Sequence, residues 1–175
     1  AGINYNNNLK LAYKMIDIAS KAGVDAIKFQ TWITDKMQLK NSKKPNYQKN
    51  IKTKTYYELI KSLEPSFKQQ RKIFNYCKKL KIQFLSTPYD EESVDFLDEM
   101  GISAFKISAS DLTNHILLKY IASKNKTLIL SSGLATSNEV DETINFLKKL
   151  YMRNKIILLQ TTSSYPTNYS EVNLR

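Results

Sequence analysis

Five short apolar runs alternate with segments of helical period, every run ends in polar residues, and no glycine-rich phosphate turn follows any of them. Together these predict an α/β chain with a parallel sheet, an incomplete (β/α)8 barrel of the TIM type. Continuous apolar strands separated by helices are the pattern of strands covered on both faces. A doubly wound nucleotide-binding sheet would carry GxGxxG or GxxxxGK[ST] after a strand, and neither occurs. In a barrel the polar strand ends converge on one mouth, where its active sites lie.

The elements follow in order. Leu9, Ala12, Ile16 and Ala19 recur on one helical face. VDAIKFQ, residues 24–30, is the first strand, entered after Gly23. Pro65-Ser66 opens a helix whose face is Ile73, Phe74, Cys77 and Leu80. IQFLSTP, residues 82–88, is a strand stopped by Pro88. The acidic DEES suits a helix N-terminus, and Val94, Phe96, Leu97 and Met100 follow as its apolar face. SAFKIS, residues 103–108, is the third strand, and Leu117, Leu118 and Ile121 mark a short helix. TLILSSG, residues 127–133, is the fourth strand. Thr136 to Glu139 is a capping box ahead of Val140, Ile144 and Leu147, and KIILLQTT, residues 155–162, is the fifth strand.

Five repeats do not close eight strands. AGIN at the start resembles the turn after a first strand, and EVNLR at the end resembles a loop or a helix entry. The expectation is a piece of a longer protein: residues 1–175 are a partial barrel domain holding strands two to six. An open barrel exposes an edge and one side of its core, so the isolated piece should be marginally stable.

At 42% hydrophobic and 25% charged residues, the 175-residue chain is of the globular class. No apolar run reaches the length of a membrane span. The single Cys77 excludes an intramolecular disulfide, fits a reducing, cytoplasmic setting, and belongs to a buried helix position. The net charge of +11 raises nucleic acid or an acidic glycan as a partner. Yet the lysines are spread along the chain, and their densest group, residues 40–54, has the composition of a solvated loop. No nucleic-acid or membrane partner is expected.

Two lysines stand inside apolar strands. Lys28 lies between Ile27 and Phe29, and Lys106 between Phe105 and Ile107. Desolvating an ammonium costs free energy unless an anion or hydrogen bonds compensate. One such lysine would be read as snorkelling to solvent or pairing with a carboxylate. Two at the ends of different strands, beside hydroxyls, fit a doubly anionic small molecule. A Schiff-base lysine is the lesser alternative. Ser86, Thr87, Ser131, Ser132 and Thr161 to Ser164 recur as hydroxyls at successive strand ends, and Gln30, Asp111 and Tyr165 add groups able to bind a polyol or amide. His115, after Asn114 at a helix start, suits a surface or capping role.

AGINYNNNLKLA, AGVDAIKFQTW, FLSTPYDEESVDFLDEMG, FKISASDLTNH, LILSSGLAT and LLQTTSSYPTNYSEVNLR occur in series and span the chain. Together they resemble the sialic acid synthase family, the N-acetylneuraminate and related nonulosonic acid synthases. The resemblance implies a (β/α)8 barrel followed by a small antifreeze-like domain, which this chain lacks. It implies an enzyme that condenses phosphoenolpyruvate with an open-chain N-acetylhexosamine, N-acetylmannosamine or a relative, to a nine-carbon 2-keto acid and phosphate. Such synthesis serves surface glycans such as capsule or lipopolysaccharide. It implies a divalent metal, Mn²⁺ or Mg²⁺, with its ligands outside this chain, and a homodimer for the full-length protein. The chain alone is expected to be inactive.

By the same resemblance Lys28 and Lys106 hold phosphoenolpyruvate, Thr87, Ser131 and Ser163 hydrogen-bond it, and Gln30 and Tyr165 contact the acceptor. Lys106 and Asp111 are the candidate catalytic residues. The family serine near Lys106 is Ala109 here, so Ser108 or Ser110 is expected to supply its hydrogen bond. Two further departures are Tyr5 where the family has His and Asn7 where it has Gly. A third is Gln160-Thr161 in place of a His-Cys pair. An inactive relative is an alternative these departures raise.

Overall fold

The computed structural model describes residues 1–44, 55–150 and 155–174, and the chain divides into two compact units, Ala1–Met100 and Gly101–Arg175. Each has the expected parallel strand–helix alternation.

In the first unit, α1 (Leu9–Lys21) is capped by Asn8, whose side chain accepts from the Leu11 amide, and it buries Ala12 and Ile16. Strand β1 (Ala26–Thr31) alternates strictly: Ile27, Phe29 and Thr31 are buried, while Ala26, Lys28 and Gln30 are half-buried on the opposite face. The short α2 (Thr34–Met37) follows, then α3 (Tyr56–Leu63) and α4 (Phe67–Lys79). The expected start of α4 is correct: Ser66 caps it through the Gln69 amide, and Ile73 and Cys77 are buried. Burial pushes the Cys77 thiol up to about 12, which keeps it protonated and inert. Strand β2 (Gln83–Pro88) pairs with β1 in parallel, and α5 (Glu91–Glu99) closes the unit.

Rings hold the layers of this unit together. Phe29 stacks on Phe84 at 5.5 Å between centroids, Phe84 meets Phe74 of α4 edge-on, and Tyr5 sets its edge on Phe29 at 5.6 Å. The face of β1 bearing Phe29 is therefore the helix-covered one, and Lys28 and Gln30 point away from it.

In the second unit, β3 (Ala104–Ile107), β4 (Thr127–Ser131) and β5 (Ile156–Leu159) pair in parallel in that order. Helices α6 (His115–Ala122) and α7 (Ser137–Lys149) lie between them in sequence, and the Thr136–Glu139 capping box is formed in full. Leu117, Leu118, Ile121, Leu128, Leu130 and Leu147 form the buried core with Phe105 and Ile107. All four residues of β3 are buried. On β5, in contrast, Ile157, Leu158 and Leu159 are 36%, 45% and 37% exposed, so apolar side chains of both faces meet solvent. That is the exposed sheet edge expected of an open barrel.

The structure shortens several predicted strands. Val24 and Asp25 precede β1, Ser132 and Gly133 follow β4, and Gln160 to Thr162 follow β5. After β4 and β5 the polar side chains take over the bonding: Ser132 bonds to Gln160, and Thr161 accepts from the Gly133 amide. Helix α3 went unpredicted. Its capping box, Thr55 with Glu58, is the sequence signal that marks it. Of the lysine-rich stretch 40–54, residues 45–54 lie outside the described residues. No helix among the described residues is long and apolar enough to cross a membrane.

Candidate active site

The first unit brings three of the candidate residues together. Parallel register sets Lys28 beside Leu85 and Gln30 beside Thr87. Side chains at paired positions point the same way, so Lys28, Gln30 and Thr87 share the face opposite the ring cluster. Burial holds the Lys28 ammonium below the ordinary lysine range, because a charge in this setting has lost part of its hydration. Thr87 is buried. Gln30 is anchored twice: its side-chain amide donates to the Tyr89 hydroxyl at 2.7 Å, and its main-chain oxygen accepts from Gln70 of α4 at 2.8 Å.

The turns at the ends of β1 and β2 are fastened by carboxylates. Asp90 caps α5 by accepting from the Ser93 amide at 2.8 Å, takes the Ser93 hydroxyl at 2.8 Å, and receives the Ile33 amide at 2.7 Å. Glu64 takes the next amide, that of Thr34, at 2.8 Å. The sequence marked Asp90 only as an acidic helix start; its long-range bond to Ile33 carries no sequence signal.

Ahead of α1, the amide of Gly2 donates to the Lys28 carbonyl at 2.9 Å, which lays the N-terminal stretch against β1. Asn7, at the position where the resemblance has a glycine, has a φ of +56°, the left-handed region. Asparagine tolerates it, and here its amide also donates to the carbonyls of Ser62 and Glu64 at 3.2 and 3.1 Å. Tyr5 is buried against Phe29, and burial pushes its phenol up to about 12.

The second unit places Lys106 and Ser131 together. Lys106 is 8% exposed, and its ammonium donates to Ser131 Oγ at 2.6 Å and to the Ile107 carbonyl at 2.5 Å. The register explains the meeting: Lys106 is opposite Ile129, and Ser131 is two residues further along β4 on the same face. Just past β3, the one-turn 3-10 helix Ala109–Asp111 turns the chain. Ser108 donates to the Asp111 carboxylate at 2.5 Å and Ser110 reaches it at 3.4 Å. The two serines expected to replace the one lost at Ala109 are thus bonded to Asp111 in this structure.

After β4, Ser132 donates to the Leu159 carbonyl at 3.1 Å and to Gln160 at 3.2 Å, and the Gly133 amide donates to Thr161 Oγ1 at 2.9 Å. A Cβ on Gly133 would lie 2.8 Å from Ser163 Oγ and 2.9 Å from the Thr161 carbonyl, so the loop carrying Ser163 approaches where only glycine fits. Tyr165 is 79% exposed, ahead of a cis peptide to Pro166. His115 is exposed at the start of α6 and stacks on Phe146 at 4.5 Å, in the surface role expected. Among the described residues, no group of three or more His, Cys, Asp or Glu side chains could hold a metal ion.

The NeuB family model matches residues 15–175. The chain belongs to the NeuB family. It is 41% identical to the N,N'-diacetyllegionaminic acid synthase of Campylobacter jejuni, across 100% of this chain and 53% of that protein. It is 32% identical to the human N-acetylneuraminate-9-phosphate synthase, across 99% of this chain and 48% of that one. Among solved structures it matches the N-acetylneuraminic acid (sialic acid) synthetase of Leptospira borgpetersenii, in complex with citrate. The TM-score is 0.84 at 32% identity, over 99% of this chain and 56% of that one. The fold class is the parallel α/β barrel class expected from the sequence, represented in part. The chain spans about half the length of the NeuB relatives it matches.

Proposed function

We propose that the protein containing this chain condenses phosphoenolpyruvate with the open-chain aldehyde of an N-acetylhexosamine, N-acetylmannosamine or a relative. Carbon 3 of the enol phosphate bonds to the aldehyde carbon, water adds at carbon 2, and the carbon–oxygen bond to phosphate breaks. A nine-carbon 2-keto acid and inorganic phosphate result. The observation that carries this reading is the buried Lys106 ammonium held on Ser131 Oγ at a strand end. A buried cation with hydroxyl support suits a phosphate or carboxylate oxygen.

In this reading Lys28 and Lys106 bind the anionic substrate, with Thr87, Ser131 and Ser163 as hydroxyl donors. Gln30 and Tyr165 meet the amino sugar, and Asp111, oriented by Ser108, is the acid–base group on the acceptor side. Holding both substrates in reacting geometry supplies much of the rate. A divalent metal, Mn²⁺ or Mg²⁺, belongs to this reading through ligands outside this chain. A partial barrel domain followed by a second domain, a homodimer and a cytoplasmic setting are further parts of the proposal.

The test uses the full-length protein with phosphoenolpyruvate, Mn²⁺ and a panel of N-acetylhexosamines. Phosphate release with at least one acceptor is expected. No release with any of them overturns the proposal.

A further inference from the structure

We propose that Tyr89 is a specificity-determining positioning residue: its hydroxyl holds the Gln30 carboxamide in place, so that the amide's other polar atom, Oε1 in this structure, faces the amino-sugar acceptor. This rests on the proposed function, in which Gln30 meets the acceptor.

The geometry is local and complete on one side. A carboxamide offers two N–H donors and one acceptor oxygen, and it can rotate to exchange them. Here Nε2 donates to the Tyr89 hydroxyl at 2.7 Å, which holds the carboxamide in place. Oε1 is left on the side of Gly2, where an added methyl group would lie 4.0 Å from it. The oxygen is suited to a sugar hydroxyl or an acetamido N–H, both donors.

Both ends of this contact are held. The Gln30 carbonyl accepts from Gln70, which is wholly buried on α4. The Tyr89 amide donates to the Thr31 carbonyl at 3.2 Å, and the next residue, Asp90, is bonded to Ile33 and Ser93. Both backbones are thereby tied to neighbouring elements, which keeps the two side chains within reach of one another. Tyr89 contacts Gln30 and acts through it, which makes it a positioning residue rather than a catalytic one. A phenylalanine in its place would keep the ring and lose only the hydroxyl.

The experiment measures KM for phosphoenolpyruvate and for a panel of N-acetylhexosamines in the full-length protein, with Tyr89→Phe, Gln30→Ala and the double variant. Tyr89→Phe is expected to raise the acceptor KM by about five- to tenfold, the effect of one lost hydrogen bond, with the phosphoenolpyruvate KM changed less than about twofold. In the Gln30→Ala background the same change is expected to have no further effect on the acceptor KM. An unchanged acceptor KM in Tyr89→Phe overturns the inference. So does an equal added rise in the Gln30→Ala background, which would show a packing role independent of Gln30. A full-length protein that releases no phosphate with any acceptor overturns the proposed function, and this inference falls with it. An active one with an unaltered acceptor KM in Tyr89→Phe overturns the inference alone.

Discussion

Lys106 Nζ lies 2.6 Å from Ser131 Oγ, on neighbouring parallel strands, with the lysine 8% exposed. A strand lysine is tolerated there because its ammonium is met by a hydroxyl and by the Ile107 carbonyl. Both contacts are neutral oxygens that accept from a buried ammonium, the setting in which an anionic ligand at the strand ends is favoured.

If this is the phosphoenolpyruvate contact, Lys106→Met in the full-length protein should raise the phosphoenolpyruvate KM by about 10- to 100-fold, the range of a lost charge-assisted hydrogen bond. Ser131→Ala should raise it less, by about three- to tenfold. Steady-state phosphate release measures both. An unchanged phosphoenolpyruvate KM in Lys106→Met would reject the anion role.

Lys28 gives a pH-dependent prediction. Burial lowers its folded pKa beneath the unfolded value near 10.5, so below the folded pKa the charged lysine costs stability. That cost is relieved as pH rises from the folded pKa towards 10.5, because the unfolded chain then holds more protons than the folded one. Lys28→Met should therefore be more stable than the unaltered protein at pH 7, and its advantage should shrink towards pH 10.5. Urea melts at several pH values, comparing the two proteins, provide the check. A constant advantage would contradict the cause assigned to the shift.

Gly133→Ala should disturb the loop that carries Ser163. The new methyl would meet Ser163 Oγ at 2.8 Å and the Thr161 carbonyl at 2.9 Å, and a backbone atom cannot simply swing aside. A loss of about 1–3 kcal/mol in stability is expected, as for overpacking elsewhere, with a rise in phosphoenolpyruvate KM. Denaturant midpoints together with kinetics separate the two effects.

Asp90→Ala removes the α5 cap and leaves the Ile33 amide without its carboxylate. The sum should be about 2–4 kcal/mol of destabilisation, from a lost N-cap and a stranded donor. Glu91→Ala, on the exposed first turn of α5, should cost far less and serves as the control. Equal midpoints for the two variants would show that neither the cap nor the Ile33 bond contributes.

The amino-acid sequence by itself determined the element order, because apolar spacing is a local property. A short apolar run after Gly23 placed β1 and period 3.6 placed α1, α4, α5 and α7, while Ser66 and Thr136 announced their helices through side chains that cap within three residues. It also singled out Lys28 and Lys106, since a charge among strand apolars is conspicuous without any structure. It also showed Asn7 where the resemblance has glycine, while the left-handed φ of +56° there comes from the structure.

Only the tertiary structure decided what those residues touch. Lys106 meets Ser131, Gln30 meets Tyr89, Asp90 meets Ile33 and Gly133 makes room for Ser163. Each pair is separated by 25 or more residues, and strand register or a turn between strands brings it together. Register depends on how whole faces pack, and no local pattern encodes the partner of a given side chain. Ser108 and Ser110 bond to Asp111 within three residues, and the turn of the one-turn helix decides where their hydroxyls reach.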